Sequence, residues 1–394
     1  MNARPRRRPG FSRRDFIIRS GAVGAAGLSL PAFLAACGGD DGGSGTDTTG
    51  GGGGGGNTLL FENWPLYIDP TEDGLTGTVD RFKAATGIDM KYSEAFNDNL
   101  EYFAKIQPLL GYGKTIDPDI IAPTQWMAGR LLTLGWLDKL PLDQVPNAVN
   151  LEDAFKMPPS DPTGEYSLPW QSGTAGIAYN IEATGRELKS VADLFDPEFA
   201  GRVAMLTEMR DTVGLVLLGE GINPSEITSF DQAAPAFEKL AKAKSDGQIR
   251  AFTGNDYTDD LGLGNFAVCV GWSGDVLQVQ ADNPNVRFVV PEEGGTLWWD
   301  TMVMPKGAKN RDAAAKWMNF VYDPVEAAQI AAYVQYISPV KGVREELAKI
   351  DPELAENPLL FPDDATKARL FPFANLPEDV EAEFEAAFSD IVGA

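Results

Sequence analysis

The chain has 394 residues, with 57 acidic and 33 basic side chains, no histidine and two cysteines. Nucleic-acid binding needs a cationic surface, so this composition argues against it. The lack of histidine excludes Ser-His-Asp triads, Cys-His pairs and histidine-ligated metals. If Cys37 carries a lipid, as argued below, Cys269 has no cysteine partner, and we predict no disulfide, no metal site and no cofactor.

The N-terminal residues predict export and lipidation. Residues 4–8 contain four arginines, and SRRDFII at residues 12–18 is typical of a twin-arginine export signal. Small and apolar residues follow and end in LAAC at residues 34–37, which resembles a bacterial lipoprotein box. We therefore predict a signal peptide over residues 1–36 and lipidation of Cys37. No later segment approaches ~20 consecutive apolar residues, so the lipid is the only predicted membrane attachment.

The segment that follows predicts a flexible tether. Residues 37–56 consist almost entirely of Gly, Asp, Ser and Thr after the cysteine, with seven consecutive glycines at residues 50–56. Such a segment cannot bury enough apolar surface to order itself, and twenty residues of it span roughly 25 Å. Seven arginines and one acid precede Cys37, which leaves 26 basic and 56 acidic side chains in the remainder. This acidity is compatible with a cationic ligand, and also with solubility alone.

From residue 57 onward, the chain is longer than one core usually holds, so two domains are predicted. In order, the pattern predicts a strand at residues 58–62, a helix at 78–86 closed by Gly87, strands at 88–92 and 119–122, and a helix after Pro123. This alternation favours a parallel sheet that binds ligands at the carboxyl ends of its strands. Trp64, Tyr67 and Trp126 fall just beyond such ends.

The second half continues the alternation. We predict strands at residues 176–180, 202–206, 266–271 and 286–290, and helices at 208–218, 229–246, 276–281, 310–322 and 324–333. A loop with Tyr336 follows the last of these helices. Glu208 and Asp211 lie in the first turn of a helix, where acids also occur simply because they complement the helix dipole.

Two clusters place tryptophan beside aspartate. Trp272 and Asp275 follow a predicted strand, and Trp298-Trp299-Asp300 precedes a strand predicted at residues 301–304. Indole rings and carboxylates both attract cations, so the clusters suit a small amine. The alternative is that the tryptophans belong to the core and the aspartates to turns or caps.

Two further motifs do not match the sites they suggest. Gly113-Lys114-Thr115 lacks the earlier glycine of a phosphate loop, because Pro108 stands in its place. The sequence GWSG at residues 271–274 lacks the last glycine of a nucleophile elbow, and no histidine base exists. Paired carboxylates leave glycoside hydrolysis open as an enzymatic alternative.

Four motifs in order resemble one family. They are NTLLFENWPLY at residues 57–67, EMRD at 208–211, WSGD at 272–275, and GGTLWWD at 294–300 followed by Met304-Pro305. Together they resemble the periplasmic polyamine-binding proteins that serve spermidine/putrescine ABC importers. The resemblance covers nearly all of residues 57–341.

The resemblance implies an α/β, two-lobed periplasmic-binding-protein fold. Each lobe would be a mostly parallel sheet flanked by helices, with the ligand in the cleft between the lobes. Lobe 1 would comprise residues 57–172 and 297–345, and lobe 2 residues 173–296 and 346–394.

The resemblance also implies a set of ligand-binding residues, with Asp300 as the principal ammonium partner. Trp126 stands where the family often has Tyr or Ser, and Glu208 and Asp211 exchange the common order of Asp and Glu. The implied set is Trp64, Tyr67, Trp126, Glu208, Asp211, Trp272, Asp275, Trp298, Asp300 and Tyr336.

The predicted function is therefore a monomeric, non-enzymatic substrate-binding lipoprotein. It would bind a polyamine at the outer face of the cytoplasmic membrane and deliver it to an ABC permease. Three alternatives remain at this point: a receptor of the same fold for another cationic or quaternary amine, a secreted hydrolase with a carboxylate pair, and an adhesive or structural lipoprotein.

Overall fold

The structure is a computed structural model, and it describes residues 57–393 except Asp73, Asn97 and Asn255. The predicted signal peptide, the lipidation site Cys37 and the glycine-rich tether lie outside the described residues. None of the described helices combines the length and the apolar character that crossing a membrane requires.

The described strands belong to one mixed sheet. They are β1 (Thr58–Asn63), β2 (Asp89–Glu94), β3 (Ile120–Ile121), β4 (Leu137–Asp138), β5 (Ser167–Asn180), β6 (Val203–Leu206), β7 (Ile249–Thr253), β8 (Val268–Trp272), β9 (Val286–Val289), β10 (Gly295–Pro305) and β11 (Leu370–Phe371).

The described α-helices flank this sheet. They are α1 (Thr78–Thr86), α2 (Asn99–Leu110), α3 (Gln125–Thr133), α4 (Ile181–Thr184), α5 (Met209–Gly219), α6 (Phe230–Ser245), α7 (Tyr257–Gly262), α8 (Ser273–Asp282), α9 (Arg311–Val321), α10 (Pro324–Val334), α11 (Val343–Ile350), α12 (Pro352–Ala355), α13 (Asp364–Lys367) and α14 (Glu378–Val392).

The sheet is parallel toward both ends and antiparallel in the middle. Its order is β2-β1-β3-β10-β5-β8-β6-β7, with β4 and β11 paired to β10 and β9 paired to β5. Strand β1 runs parallel to β2 and β3, and β6 runs parallel to β7 and β8. The two long strands β5 and β10 pair antiparallel with each other between these groups. We call the group around β1 to β3 the β1 side and the group around β6 to β8 the β6 side. The predicted α/β class is confirmed.

Separate hydrophobic clusters pack around the β1 side and around the β6 side. On the β1 side, one cluster contains Phe61, Trp170 and Trp317, and another contains Ile121 and Val303. On the β6 side, Val203, Val268 and Phe384 belong to a third cluster. Burial of these apolar side chains stabilises the fold by about 25 cal/mol per Å² of apolar surface removed from water. The lobe boundaries given above remain a prediction.

Local signals account for several helix ends. Gly87 adopts φ +71° and its N–H donates to the Lys83 carbonyl at 2.8 Å, which ends α1 as predicted. Ser229 and Gln232 form a capping box that begins α6. Glu208 caps α5 by accepting a hydrogen bond from the Arg210 N–H.

Several predicted bounds were wrong. Strand β5 begins at Ser167 rather than at residue 176, and helix α8 begins at Ser273 rather than at residue 276. Trp298, Trp299 and Asp300 lie inside β10 and do not precede a strand that begins at residue 301. Strand β5 is buried along its entire length, so it lacks the alternation of apolar and polar residues that marks a half-exposed strand.

Candidate functional site

Asp300 is the buried carboxylate on the β1 side of the site. It lies at a β-bulge of β10, between Trp299 and Thr301, and is 5% exposed. The Tyr67 hydroxyl donates to its Oδ2 at 2.8 Å, and the Thr124 hydroxyl donates to its Oδ1 at 2.7 Å. Burial raises the pKa of Asp300 to about 7, although both hydrogen bonds oppose that shift. The carboxylate is thus positioned by neutral donors.

Asp211 is the counterpart of Asp300 on the β6 side. It lies in the first turn of α5, and its two oxygens accept hydrogen bonds from Trp272 Nε1 at 2.7 Å and from the Thr296 hydroxyl at 2.6 Å. Burial raises the pKa of Asp211, and the hydrogen bonds from Thr296 and Trp272 counteract it. The negative charge of Asp211 also contributes to the raised pKa of Asp300, so the two carboxylates interact.

Glu208 lies one turn before Asp211, at the N-cap of α5. Its side chain accepts from the Arg210 backbone N–H at 3.1 Å and is 21% exposed. Burial raises the pKa of Glu208 to about 7; Arg210 lowers it and Asp211 raises it further. The first turn of α5 therefore brings two carboxylates together next to the partial positive charge of a helix N-terminus.

Asp275 lies where the hydrophobic clusters of the β1 and β6 sides meet. It is buried in the first turn of α8, and its Oδ1 accepts a hydrogen bond from the Tyr336 hydroxyl at 2.9 Å. The Tyr257 hydroxyl lies 3.4 Å from Oδ2 and accepts from the Trp272 N–H at 2.9 Å. Tyr336 belongs to the cluster on the β1 side, and α8 contributes Val276 to the cluster on the β6 side and Leu277 to the one on the β1 side. This bond therefore lies where the clusters of the two sides meet.

Aromatic rings form the apolar walls of the site. Tyr336 contacts Tyr67 edge-on with ring centroids 5.9 Å apart, and Trp298 with centroids 5.3 Å apart. Two glycines allow this packing. A Cβ on Gly173 would lie 2.9 Å from the Tyr336 ring, and a Cβ on Gly274 would lie 2.7 Å from it.

Trp64 and Trp126 lie at the margin of this group. The Trp64 indole N–H donates to the Ala122 carbonyl at 2.8 Å, and its ring packs against Phe96. Trp126 is 7% exposed, and the Arg210 guanidinium lies 3.4 Å from the centre of its ring. An arginine of the protein itself therefore occupies a face of Trp126.

The structure brings most of the predicted site residues together. Hydrogen bonds and ring contacts link Tyr67, Asp300, Tyr336, Trp298 and Asp275, and the Tyr257 hydroxyl connects Asp275 to Trp272 and so to Asp211. Glu208 adjoins this group through α5. Trp299 packs instead against Phe155, with centroids 5.8 Å apart. No group of three or more potential metal ligands occurs among the described residues.

Sequence reasoning missed three residues that orient the carboxylates: Thr124, Tyr257 and Thr296. Thr296 could have been found, because residues two apart on a strand share a face and Trp298 was already a candidate. Thr124 directly precedes α3, where a threonine is readily explained as a helix cap. Tyr257 carried no signal, since it approaches Asp275 only through the fold.

Comparison with known proteins agrees with this architecture. The pattern of the bacterial extracellular solute-binding protein family matches residues 77–362. The spermidine/putrescine-binding periplasmic protein of Escherichia coli is 28% identical over 313 residues, covering 79% of this chain and 84% of that protein. The putrescine-binding periplasmic protein PotF of Escherichia coli is 30% identical over 333 residues, covering 80% and 85%.

A solved structure is also similar. The spermidine/putrescine ABC transporter substrate-binding protein PotD from Streptococcus pneumoniae superimposes with a TM-score of 0.72 at 28% identity, covering 85% of this chain and 98% of that one. The two-lobed fold expected from the sequence is thereby confirmed.

Chemically, the site offers acceptors and aromatic faces and is suited to a cation. Carboxylates fixed by hydroxyl and indole donors hold their geometry before a ligand arrives, which lowers the ordering cost of binding. Aromatic walls can cover methylene groups and attract positive charge. With the family pattern matching most of the chain, the protein belongs to the bacterial extracellular solute-binding protein family.

Proposed function

We propose that this protein is the substrate-binding component of an ABC importer and captures a polyamine of the putrescine and spermidine class. The observation that carries this proposal is the environment of Asp300. Its carboxylate is buried, is held by two hydroxyl groups, and forms no ion pair with Lys or Arg among the described residues. A buried carboxylate without a cationic partner is costly to ionise, and a bound ammonium group supplies the missing charge.

The second acceptor supports a ligand with more than one amine. Asp211 forms no direct ion pair with Lys or Arg in the described part of the chain, although the nearby charge of Arg210 partly counteracts its raised pKa. It lies on α5, on the β6 side, whereas Asp300 lies on the β1 side. A flexible chain with an ammonium group at each end would pair with both carboxylates, while Trp298, Tyr336 and Trp272 cover its methylene groups. The relatives named as spermidine- or putrescine-binding proteins support the same ligand class.

The state of Arg210 argues against a zwitterionic ligand such as a betaine. Such a ligand needs a cation for its carboxylate, and Arg210 is the basic residue nearest in sequence to the acids of α5. Its guanidinium is already paired with Glu381 and stacked on Trp126. The site therefore favours an amine without a carboxylate.

The same comparisons support a receptor over an enzyme. The related proteins are named as solute-binding proteins, and the aromatic packing around Asp211 and Asp300 suits ligand enclosure. We propose that the protein has no hydrolytic activity. Incubation with oligosaccharides should release no product, and measurable turnover would revive the hydrolase alternative.

We further propose that the mature protein is a monomer anchored through Cys37 at the outer face of the cytoplasmic membrane. The twin-arginine and lipoprotein-box motifs support this placement. Replacement of Cys37 by serine should abolish labelling with radioactive palmitate and release the protein from the membrane. Retention of the label in that variant would contradict the anchoring site.

Calorimetric titration of the mature protein with putrescine, spermidine, spermine and glycine betaine tests the ligand class. We expect tight one-to-one binding of at least one polyamine and no heat from glycine betaine. No binding of any polyamine, together with heat from the betaine, would replace the proposed ligand with a quaternary amine.

A further inference from the structure

A group of charged side chains bridges the two sides of the sheet beside the proposed ligand site. Arg130 of α3 contacts Glu381 at 2.7 Å and Glu385 at 2.9 Å, both on α14. The other oxygen of Glu381 pairs with Arg210 of α5, whose guanidinium lies 3.4 Å from the centre of the Trp126 ring. Each carboxylate oxygen of Glu381 thus pairs with a different arginine.

The partners in this group belong to different cores. Trp126 lies on the β1 side, in the cluster that contains Ile121 and Val303. Glu381 neighbours Phe384 on α14, and Arg210 neighbours Val213 on α5, and both of these apolar residues lie in the cluster on the β6 side. The contacts can form only while the two sides of the fold are pressed together.

The group is also well shielded from water. Arg210, Glu381 and Trp126 are 6%, 7% and 7% exposed. Ion pairs at exposed surfaces contribute little, whereas removing one partner from a buried pair leaves an uncompensated charge. Separating the two sides would let water hydrate both arginines and Glu381. The contacts therefore stabilise the closed form only when each buried charge keeps its partner there.

We propose that Trp126, Arg130, Arg210 and Glu381 form a clasp that holds the two sides closed over the ligand, acting as positioning residues and not as ligand contacts. The proposal rests on the proposed function and assigns Trp126 a different role from the one implied by the family resemblance. A ligand first binds the open form, and closure then retains it. Contacts that exist only in the closed form change the dissociation rate far more than the association rate.

The chain offers a control for Arg130 with similar partners, although its side chain is 39% exposed and that of Arg130 is 17% exposed. Arg186 also pairs with two carboxylates, Asp193 at 2.8 Å and Asp196 at 2.7 Å, and lies 5.3 Å from the ring centre of Phe199. Arg130 lies at a similar distance, 5.6 Å, from the ring centre of Phe103. All partners of Arg186 belong to the β6 side, so its loss should not affect closure.

Stopped-flow tryptophan fluorescence with putrescine measures both rate constants for the mature wild-type protein and for the Arg130→Met and Arg186→Met variants. We expect Arg130→Met to raise the dissociation rate about tenfold while the association rate changes less than about threefold. Arg186→Met should leave both rates unchanged. Equal behaviour of the two variants, or a change confined to the association rate, would overturn the clasp.

A ligand-free measurement separates this proposal from the proposed function. Spin labels at Tyr112→Cys and Leu263→Cys, which replace side chains that are 85% and 68% exposed, would report the distance between the β1 and β6 sides. The clasp contacts join only residues of the protein itself, so the unliganded protein should populate the closed form as well as the open one. We expect Arg130→Met to reduce this closed population and thereby shift the distance distribution toward longer values without any ligand. This shift would support the clasp even if the protein bound no polyamine. An unchanged distribution would contradict the clasp even if the protein bound a polyamine.

Discussion

At the scale of single residues, Asp300 combines a function with a cost in stability. Burial raises its pKa to about 7, well above the value of about 4 in an unfolded chain. The folded state therefore binds this proton more tightly, so stability is lost as the pH rises from about 4 to about 7. A bound ammonium group would supply a positive charge beside this carboxylate and so remove part of the cost of ionising it.

Replacement of Asp300 by asparagine tests this trade-off. The variant keeps the shape of the side chain and removes the charge that would pair with an ammonium, so polyamine affinity should fall at least about 100-fold, or about 3 kcal/mol. The unliganded variant should gain about 1–3 kcal/mol in the free energy of unfolding at pH 8, because it no longer ionises a buried group. Calorimetric titration and urea unfolding measure the two effects. A gain that does not grow between pH 4 and pH 7 would contradict the ionisation argument.

The raised pKa values of Asp300 and Glu208, both about 7, also predict how affinity depends on pH. A proton competes with an ammonium for each carboxylate, whereas alkyl amines stay protonated below about pH 9. Affinity should be constant between about pH 8 and pH 9 and should fall by about tenfold or more as the pH falls through 7 toward 5. Titrations at each pH in two buffers of different ionisation heat would count the released protons. Uniform affinity from pH 5 to pH 8 would show that neither carboxylate titrates on binding.

At the scale of elements, the geometry of the site depends on close packing between β5, α8 and the loop after α10. Tyr336 fits against Gly173 of β5 and Gly274 of α8, and there its hydroxyl reaches Asp275. Neither glycine has the positive φ that commonly explains a glycine, so a close approach to the aromatic ring is the reason for their small size.

Gly274→Ala tests this packing. The added Cβ would lie 2.7 Å from two ring atoms of Tyr336, so the ring must shift and its hydrogen bond to Asp275 should weaken. Polyamine affinity should fall about tenfold, although alanine favours a helix by up to about 1 kcal/mol over glycine. Gly262→Ala is the control, since its Cβ would meet only a Val279 methyl at an ordinary 3.5 Å. Equal affinities for the two variants, measured by calorimetry, would show that Tyr336 tolerates displacement.

Sequence patterns predicted the elements with local signals better than those defined by distant pairing. Helix α1 was found because its apolar spacing and Gly87 are both local, and the first turn of α5 was placed correctly for the same reason. The start of β5 and the bulge at Asp300 depend on antiparallel pairing between segments more than a hundred residues apart. The bond between Tyr67 and Asp300 spans 233 residues, and no spacing along the chain encodes such a contact.

At the scale of the whole molecule, acidity should govern how fast a cationic ligand arrives. The residues from Cys37 onward carry 56 acidic and 26 basic side chains, and three of these acids, Asp211, Asp275 and Asp300, are buried in the site. An acidic surface attracts a polycation over distances comparable to the Debye length, about 10 Å at 0.1 M salt. Once the ligand is enclosed, mobile ions screen its contacts much less.

The association rate for putrescine should therefore fall about tenfold between 20 mM and 500 mM salt, while the dissociation rate changes less than about twofold. Spermidine, which carries one more positive charge, should show a steeper dependence of the association rate on salt if it binds. Stopped-flow fluorescence across a salt series measures all four quantities. A salt effect carried by the dissociation rate would mean that the bound ligand remains accessible to ions, which would contradict an enclosed site. If neither rate depends on salt, the net charge of the molecule serves solubility alone, and ligand capture depends only on the carboxylates inside the site.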